Sequence, residues 1–537
     1  MSDIISELVG TPLKLDAIGG AYEGAAQFDE VVSLYSPPLQ SADGDILPDK
    51  DLLDARSRDI LRNDAYVQSG ATIHKDSIVG NQYNVSSQPD FDFLGKTTEW
   101  ADAFQKEAES LFRLFTDSQH NWIDASRQNN FTGLIRLAVG VHSGTGEALA
   151  IAEYSTDRKR EFKLNIQMVD ADRLATPPHL TFNKNIRGGI EKNKSGVDNY
   201  YHIRLEHQND VMLGRYGYQK FKRVAARKPW GRQQVIFMRE QKRVDQTRGI
   251  SDIVAGMKEI AITKKFREVT LQNAVVNATY AATIESEMPN EIVAAQMGMS
   301  GKDSITDYAT TLLGAIKQYT DDGNRTKIDG AKIPVFFPGT SLKMQPAGKI
   351  GGIGQDFEAS LLRHLAAALN LSYEELSKDY SKANLSSARL GMINTQKFMK
   401  GRKKYTADYF ATSIWRLFIE EAVLNNRLKT FPASQAHLLY TNGHLNLMFD
   451  ALCLCSWIGA GTGAIDPLKE RQADLLGLKA GIVTRESIIA KDGGDYRRVF
   501  AQREREDKLL KKHNIVLESD NGMNAVTGAA NEVDTDE

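Results

Sequence analysis

The run in this chain whose residue types could most plausibly do chemistry is Arg215 to Arg232, RYGYQKFKRVAARKPWGR. It interleaves Arg215, Lys220, Lys222, Arg223, Arg227, Lys228 and Arg232 with Tyr216, Tyr218, Phe221 and Trp230 and contains no acid. Cations for phosphate beside aromatic faces for bases is how a single-strand nucleic-acid groove is written. The same composition fits a hairpin and loop whose aromatics pack inward and whose charges meet the acids of a neighbouring copy. Overall charge favours the second reading: 67 Lys+Arg against 69 Asp+Glu leave no cationic excess for tight, sequence-independent phosphate binding.

Asp170 and Asp172 form a D-x-D that could hold a divalent ion, but its place before Pro177-Pro178 reads as a polar turn at a strand end. Neither Ser143-Gly144-Thr145-Gly146-Glu147 nor Gly348 to Gly354 carries the Lys and hydroxyl that follow a phosphate cradle, so both read as connectors. ATP hydrolysis by this chain alone is not expected. The ten histidines form no H-E-x-x-H, and G-x-S-x-G is missing too. No catalytic residue, metal site or cofactor is assigned, and the chain reads as a non-enzyme. Cys453 and Cys455, the two cysteines, exclude a disulfide framework. Their C-x-C spacing places them on one face of a strand as buried hydrophobes. No apolar run approaches the roughly 20 residues of a membrane span, so a soluble protein from a reducing compartment is expected.

The elements around Ser372 to Arg389, SYEELSKDYSKANLSSAR, position a more telling set of side chains. Ser372 and Glu375 have the spacing of a capping box, which starts a helix by satisfying free backbone N–H groups. Ser386 or Ser387 can cap a second segment running toward Asn426, with Ile393, Tyr405, Ile414, Trp415 and Phe418 as its apolar members. The loop region carries Lys378, Lys382, Asn384 and Arg389, with no acid beyond Asp379. That set suits an anionic surface or plain solvent.

Along the chain, residues 1 to about 48 are rich in Gly, Ser, Ala and Asp and read as a mobile arm. Helical patterning begins near Lys50 and recurs over Thr98 to Phe115. From Phe131 to Glu240 the pattern reads as strands, with Phe162, Leu164, Ile166 and Met168 alternating with polar residues. Thr247 to Ser286 reads as helix, capped by Ser251, and Glu291 to Tyr319 as another. A compact β insert follows: Arg325 to Ile328, an Asp329-Gly330 turn, Ala331 to Phe337, a Pro338-Gly339 turn and Thr340 to Gln345. Phe357, Leu361, Leu365 and Leu369 then line one face of a helix, giving an antiparallel pair of rods with a β cap at one end. Asp466-Pro467, Thr484 and Asp495 start further helices, and Gly481 ends one. From Glu518 onward the chain is acidic, without Lys or Arg, and disorder is expected.

Several pieces recur in a fixed order: ARSRDILRNDAYVQSGATIHKDSIVG (Ala55 to Gly80), VDADRLATPP (Val169 to Pro178), GGIE (Gly188 to Glu191), QTRGIS (Gln246 to Ser251), YAATIESE (Tyr280 to Glu287) and WIGAGTGAIDPLKE (Trp457 to Glu470). With the loop above, they resemble the portal proteins of lambda-like tailed phages from about Tyr22 to Glu506. The resemblance implies an α+β, mainly helical portal fold with wing, stem, clip and crown regions, assembled as a ring that is dodecameric in the family. It implies a wing over 49–290, stem helices at 291–322 and 351–371, and a clip at 323–350. A tunnel loop at 372–389, a long helix and wing return over 390–456, crown-like helices over 457–517 and an acidic tail at 518–537 complete the division.

By this resemblance the ring is the channel at one capsid vertex, made in the host cytoplasm and carried in the virion, for genome packaging and ejection. Lys378, Lys382, Asn384 and Arg389 would meet double-stranded DNA non-specifically. Arg325, Lys327, Lys332, Phe336, Phe337 and Lys343 of the clip would dock the large subunit of the terminase and later head-completion proteins. No membrane partner is implied. Lys397, Lys400, Arg402, Lys403 and Lys404, beyond the loop, would line the inner wall or form an exposed helix face. The competing expectation is a nucleic-acid-binding enzyme or scaffold built on 215–232.

Overall fold

The computed structural model describes residues 34–208, 210, 217–279, 314, 327–328, 331–332, 353–381, 383–461, 463 and 466–513. Two compact units emerge, one formed by Met1–Ala255 with Ala367–Glu537 and the other by Gly256–Ala366.

The first unit opens on α1 (Ala42–Ile46), capped by Ser41. Residues 42–46 belong to the folded body, which shortens the expected arm: Asp43 is buried and accepts from the Thr247 N–H and hydroxyl, both at 2.7 Å. Helices α2 (Lys50–Asn63) and α3 (Ala65–Ile78) follow, the second capped by Asp64, which accepts from Tyr66 and Val67 N–H groups. Strand β1 (Asn84–Ser87) leads to α4 (Thr98–Thr116), capped by Thr97.

Phe131 to Thr145, read from sequence as the start of the strand region, is a helix, α5 (Phe131–Thr145). Asn130 caps it, and Phe131, Leu134, Ile135, Ala138 and Val139 repeat at helical spacing on its buried face. The Ser143 to Glu147 run is accordingly this helix's end, with Gly146 at φ 77 stopping it. Only then come strands: β2 (Glu147–Tyr154), β3 (Leu164–Val169), β4 (Ile186–Arg187), β5 (Ile190–Lys192), β6 (Asp198–Arg204), β7 (Phe221–Ala225) and β8 (Val235–Arg239). They form two antiparallel sheets, ordered β3-β2-β8 and β4-β5-β6-β7. Leu149, Ile151, Val169, Leu174, Ile190, Tyr201, Ile203, Val224 and Val235 make a shared core. The expected alternation in β3 is imperfect: Asn165 is buried and Met168 half-buried, because β3 packs on both faces near its start.

The second unit contains α6 (Met257–Thr279), strands β9 (Lys327–Ile328) and β10 (Ala331–Lys332), and most of α7 (Ile353–Ala368). Before α6, Ser251 caps a 3₁₀ turn by accepting from the Ile253 N–H at 3.1 Å. Helices α6 and α7 run antiparallel: Arg267 donates to Glu358 at 2.7 Å, Phe266 meets Phe357 edge-on at 5.2 Å, and Glu259 lies 3.7 Å from His364. Thus among the described residues the partner of α7 is the 257–279 helix; residues 291–313 and 315–322 of the expected first rod lie outside them. Strands β9 and β10 pair antiparallel with Ala331 opposite Ile328; the expected turn residues 329–330 lie outside the described residues.

Back in the first unit, α8 (Tyr373–Ser377) and α9 (Leu385–Thr406) bracket the loop, a π-helical turn (Ala407–Ala411) follows, and α10 (Thr412–Leu424) continues the rod into the core. The apolar members of this rod divide at the π turn. Ile414, Trp415 and Phe418 are fully buried, whereas Leu390 and Ile393 are 62% and 42% exposed. Phe112 of α4 meets Phe131, Trp415 and Phe418 edge-on at 5.0–5.2 Å, the centre of an aromatic core that also takes in Trp457. Strands β11 (Tyr440–Thr441) and β12 (His444–Leu445) form a hairpin, α11 (Leu447–Leu452) follows, and β13 (Cys455–Ile458) pairs with β1. The two cysteines therefore do not share a strand: buried Cys453 ends α11 and half-buried Cys455 opens β13.

Helices α12 (Pro467–Lys479), α13 (Arg485–Lys491) and α14 (Tyr496–His513) close the unit. Their caps are those read from sequence. Asp466 accepts from the Lys469 N–H with Pro467 at the first helical position, Thr484 accepts from Ser487, and Asp495 from Arg497. Gly481, at φ 70, lets the Ile482 N–H return to the Gly477 carbonyl at 3.1 Å.

Candidate nucleic-acid-facing loop and its supports

The capping box foreseen at Ser372 is formed on both sides. The Ser372 hydroxyl accepts from the Glu375 N–H at 3.3 Å, and Glu375 accepts from the Ser372 N–H at 3.1 Å. The same Glu375 carboxylate accepts from Thr395 on α9 at 2.6 Å, which clips the turn before the loop to the helix after it. Lys378 ends α8 with φ 59, its N–H donating to the Glu374 carbonyl. A left-handed Lys costs strain that Gly would not, and it throws the ammonium into solvent. Asp379 is spent locally, accepting from the Ser381 N–H and hydroxyl at 3.0 and 2.6 Å.

Asn384, read as a surface contact, is the N-cap of α9: its Oδ1 accepts from the Ser387 N–H at 2.8 Å, and Ser387 bonds back. The cap thus falls two or three residues before the expected Ser386 or Ser387. Arg389 is exposed on the first turn and a half of α9, near enough to Asp466 to help hold that carboxylate below its usual range after the Lys469 N–H. Lys382 lies outside the described residues. So the structure places Lys378, Asn384 and Arg389 on one exposed segment, with Asn384 already engaged by backbone.

Of the cluster on α9, Lys397, Lys400 and Lys404 are exposed, and Lys404 pairs with Asp408 at 2.8 Å. Arg402 is a different kind of residue. It is 8% exposed and holds Asp252 at 2.6 Å, Glu240 at 3.0 Å and the His142 Nδ1 at 3.1 Å. Burial, with the Arg402 charge beside it, pushes the His142 imidazole down to about 3, so it stays neutral and accepts from the guanidinium. Arg402 therefore locks the rod that carries the loop against α5 and the end of β8.

Three cations of the run 215–232, Lys222, Arg223 and Arg232, are engaged within the chain, while Lys220 and Arg227 are exposed. Lys222 meets Glu153 at 2.9 Å, and Arg223 grips Glu191 with both nitrogens while covering the Tyr200 ring at 3.3 Å. Arg232 is 4% exposed at 3.1 Å from Glu420, over the Tyr154 ring, and Trp230 Nε1 donates to the same Glu420 at 3.0 Å. These three charges meet acids of their own chain, and Trp230 remains 38% exposed. Arg215 and Tyr216 lie outside the described residues. Asp170 and Asp172 both pair with Arg58, and Asp170 caps a 3₁₀ turn by accepting from the Asp172 N–H at 3.2 Å, as the turn reading requires.

Of the insert's candidate docking residues, Lys327 and Lys332 are register partners across β9 and β10, while Arg325, Phe336, Phe337 and Lys343 lie outside the described residues.

What sequence reasoning did not find is the buried centre on which the quoted pieces converge. Glu147 at the start of β2 is fully buried and accepts from Arg248 Nε at 2.9 and 3.0 Å and from the Gly249 N–H at 2.9 Å. Arg248 also donates to the carbonyls of Ala171 (3.0 Å), Leu174 (2.8 Å) and Gly188 (3.1 Å). Lys50 sits 3.6 Å from Glu147 and donates to Asp54 at 2.6 and 2.7 Å and to the Thr145 carbonyl at 2.8 Å. Burial alone would raise the Glu147 carboxyl, but Arg248 and Lys50 hold it below its ordinary range; Asp54, less well compensated, is pushed up to about 6 by burial. Four charges cancel, and one guanidinium ties VDADRLATPP, GGIE and QTRGIS together. No residue pattern shared by the three pieces signalled it: VDADRLATPP has no glycine, and GGIE no arginine or aspartate.

A family model described as "Phage portal protein, lambda family" matches residues 32–403. The chain is 32% identical over 487 residues to portal protein B of Escherichia phage lambda, covering 91% of this chain and 89% of that protein. It is also 32% identical over 506 residues to the portal protein of Escherichia phage N15, covering 94% and 93%. Among solved structures, a chain of the neck of an empty gene transfer agent particle matches at 12% identity and TM-score 0.35, covering 82% of this chain and 93% of that one. A chain of the native particle's virion does so at TM-score 0.33 and 12% identity, with the same coverage. These two likenesses are too slight to carry an argument.

Proposed function

The chain belongs to the lambda family of phage portal proteins, and from that premise we propose how its parts serve a portal's channel. The observation that carries the reading is continuous similarity: two portal proteins match over about nine-tenths of the chain, not over one isolated motif.

The channel is a closed ring of identical subunits, dodecameric as in the family, standing at one capsid vertex. A ring requires a heterologous interface whose rotation closes. Around its axis the segment from Lys378 to Arg389 faces the passing duplex. Lys378 and Arg389 are exposed there, supported from behind by the Ser372–Glu375 box, Thr395 and Arg402. A conduit must not grip, so contacts are few, made to phosphate and blind to sequence. The near-neutral total charge suits this. The β insert at 323–350 docks the terminase motor, whose ATP hydrolysis drives the genome, and afterwards head-completion proteins. The α6–α7 pair belongs to the wall that carries this insert outward, and the exposed helices α12 to α14 form the crown.

Negative-stain images of purified protein test the ring: circular particles with an axial hole are expected, and a uniform population of monomers would end the proposal. Lys382→Ala tests the loop. Rings are expected to assemble normally while genome packaging or retention changes; failure to form rings would remove the loop from the lumen.

A further inference from the structure

We propose that residues 34–40 of one subunit dock, as an uncharged extended arm, in an aromatic groove of the next copy of this chain, a contact that rests on the ring reading above. The arm reads LYSPPLQ, and Leu34, Tyr35 and Leu39 are 92%, 77% and 104% exposed. Single apolar residues scattered over a surface are ordinary, but three within one short run form a patch that a partner covers. Pro37 and Pro38 fix their own φ and keep the residue before each extended, so the run is stiff before it binds and gives up little freedom on binding. Its C-terminal end is fixed to the body: the Gln40 carbonyl accepts from Arg243 at 3.0 Å, and Ser41 caps α1.

The groove lies where β6 ends and β7 begins, at the register pair Arg204 and Phe221, and holds about 580 Å³. Pro178, His179, Tyr218 and Phe221 give it apolar and aromatic walls, Gln208 and Gln219 stand among them, and no acid lines it. The Gln208 side-chain oxygen accepts from Arg204, which leaves its NH₂ to donate. Aromatic walls with a few amide donors suit a Pro-containing extended segment, whose rings and Leu side chains pack on the aromatics while its free carbonyls accept.

Position and reach point to a second copy as the owner of that groove. Asp43 near the start of α1 accepts from Thr247, whose hydroxyl accepts from Lys192 at 2.8 Å, and Lys192 is the register partner of Asp198, the first residue of β6. Leu47, just past α1, lies against Gly188, beside the Gly189 carbonyl that accepts from the His202 N–H farther along β6. The helix therefore runs from the start of β6 toward its end, and the arm before it heads away from the groove at Arg204. The length of β6, Asp198–Arg204, sets the two about 20 Å apart. Residues 34–39 span about 19 Å when extended. Doubling back would spend several of them on a turn that Pro37 and Pro38 oppose, and the remainder falls short. An arm at one end of a subunit and its groove at the other make a head-to-tail contact, the kind that a ring repeats around its axis.

Photocrosslinking on the assembled full-length protein tests this. Benzoylphenylalanine placed at position 35, where the side chain is exposed and folding is not at issue, joins to the C–H bonds it touches. Rings mixed equally from isotope-labelled and unlabelled subunits then report whose groove it reaches. Peptide mass spectrometry is expected to find position 35 joined to residues lining the groove, with about half of the links between unlike labels, as random neighbours in a head-to-tail ring require. Leu39→Asp on the arm and Tyr218→Ala in the groove should each lower that link about fivefold or more, the weight of one anchoring side chain at an interface. Links between like labels alone would mean that the arm lies on its own subunit, and the proposal fails. Rings in which position 35 joins another surface, another protein or nothing remove this contact and leave the ring reading standing. Undiminished links in both variants would also overturn it. Absence of rings removes the ring reading and this contact together, so the two failures are distinguishable.

Discussion

Removing one member of the Glu147–Arg248 pair would leave a fully buried charge without its partner, at a cost far above that of any surface pair. Arg248→Met is expected to lower unfolding free energy by about 3–5 kcal/mol, read by denaturant titration. Adding Glu147→Gln should return part of that loss, because the stranded carboxylate goes with it. Asp54 gives the same centre a pH dependence. Its carboxyl, pushed up to about 6 by burial, keeps a proton in the folded chain after the unfolded chain, at 3.8, has released it. Stability contributed here is therefore greatest at low pH and declines as pH rises through that window. Compared with Asp54→Asn, which does not titrate, the wild-type chain is expected to lose on the order of 2 kcal/mol between about pH 4 and pH 7. Thermal unfolding of both proteins across that range checks the sign.

The element that matters most is the rod formed by α9, the π turn and α10, because it connects the loop to the core. Its buried half is anchored by Ile414, Trp415 and Phe418, its middle by Arg402, and its exposed end by two caps and the Glu375–Thr395 bond. A π turn puts one extra residue into the helix and so changes which face continues inward. Here it falls where an exposed helix becomes a core helix. Ser372→Ala should remove the box without disturbing the rod. The expected cost is about 1 kcal/mol, seen as roughly fivefold faster hydrogen exchange at the amides of 374–378 with α9 unchanged. Sequence made both caps legible because a cap is a local matter of side-chain oxygen and backbone N–H three residues apart. It placed the second one at Ser386 or Ser387, whereas Asn384 does the work with Ser387 as its reciprocal partner.

For the whole molecule, the prediction is a mass. With 59.6 kDa per chain, light scattering on the assembled form should give roughly 700 kDa for a dodecamer, and a lone protomer under every condition would be incompatible with the proposed channel. The exposed Leu390 and Ile393 on the outer half of α9 are apolar surface that a neighbouring copy would cover in such a ring. Near-neutral net charge fits the proposed wall that lets DNA slide, and three cations of 215–232 are held by acids of the same chain.

The sequence alone determined what depends on neighbours along the chain and on shared descent: the caps at Ser372, Asp466, Thr484 and Asp495, the stop at Gly481, and membership in a family through pieces kept in order. It misread Phe131 to Thr145 because a short apolar run bounded by glycines satisfies helix and strand patterns alike, and only packing against α2, α3 and the aromatic core selects between them. Which charges are spent was decided by tertiary structure alone. Arg232 and Arg402 stand in runs that look uniformly solvent-facing, and Glu147 in a run that looks like a loop, yet folding buries all three against partners from 100 or more residues away. Charge pairing over such separations follows from the path of the chain through space, which no local spacing encodes.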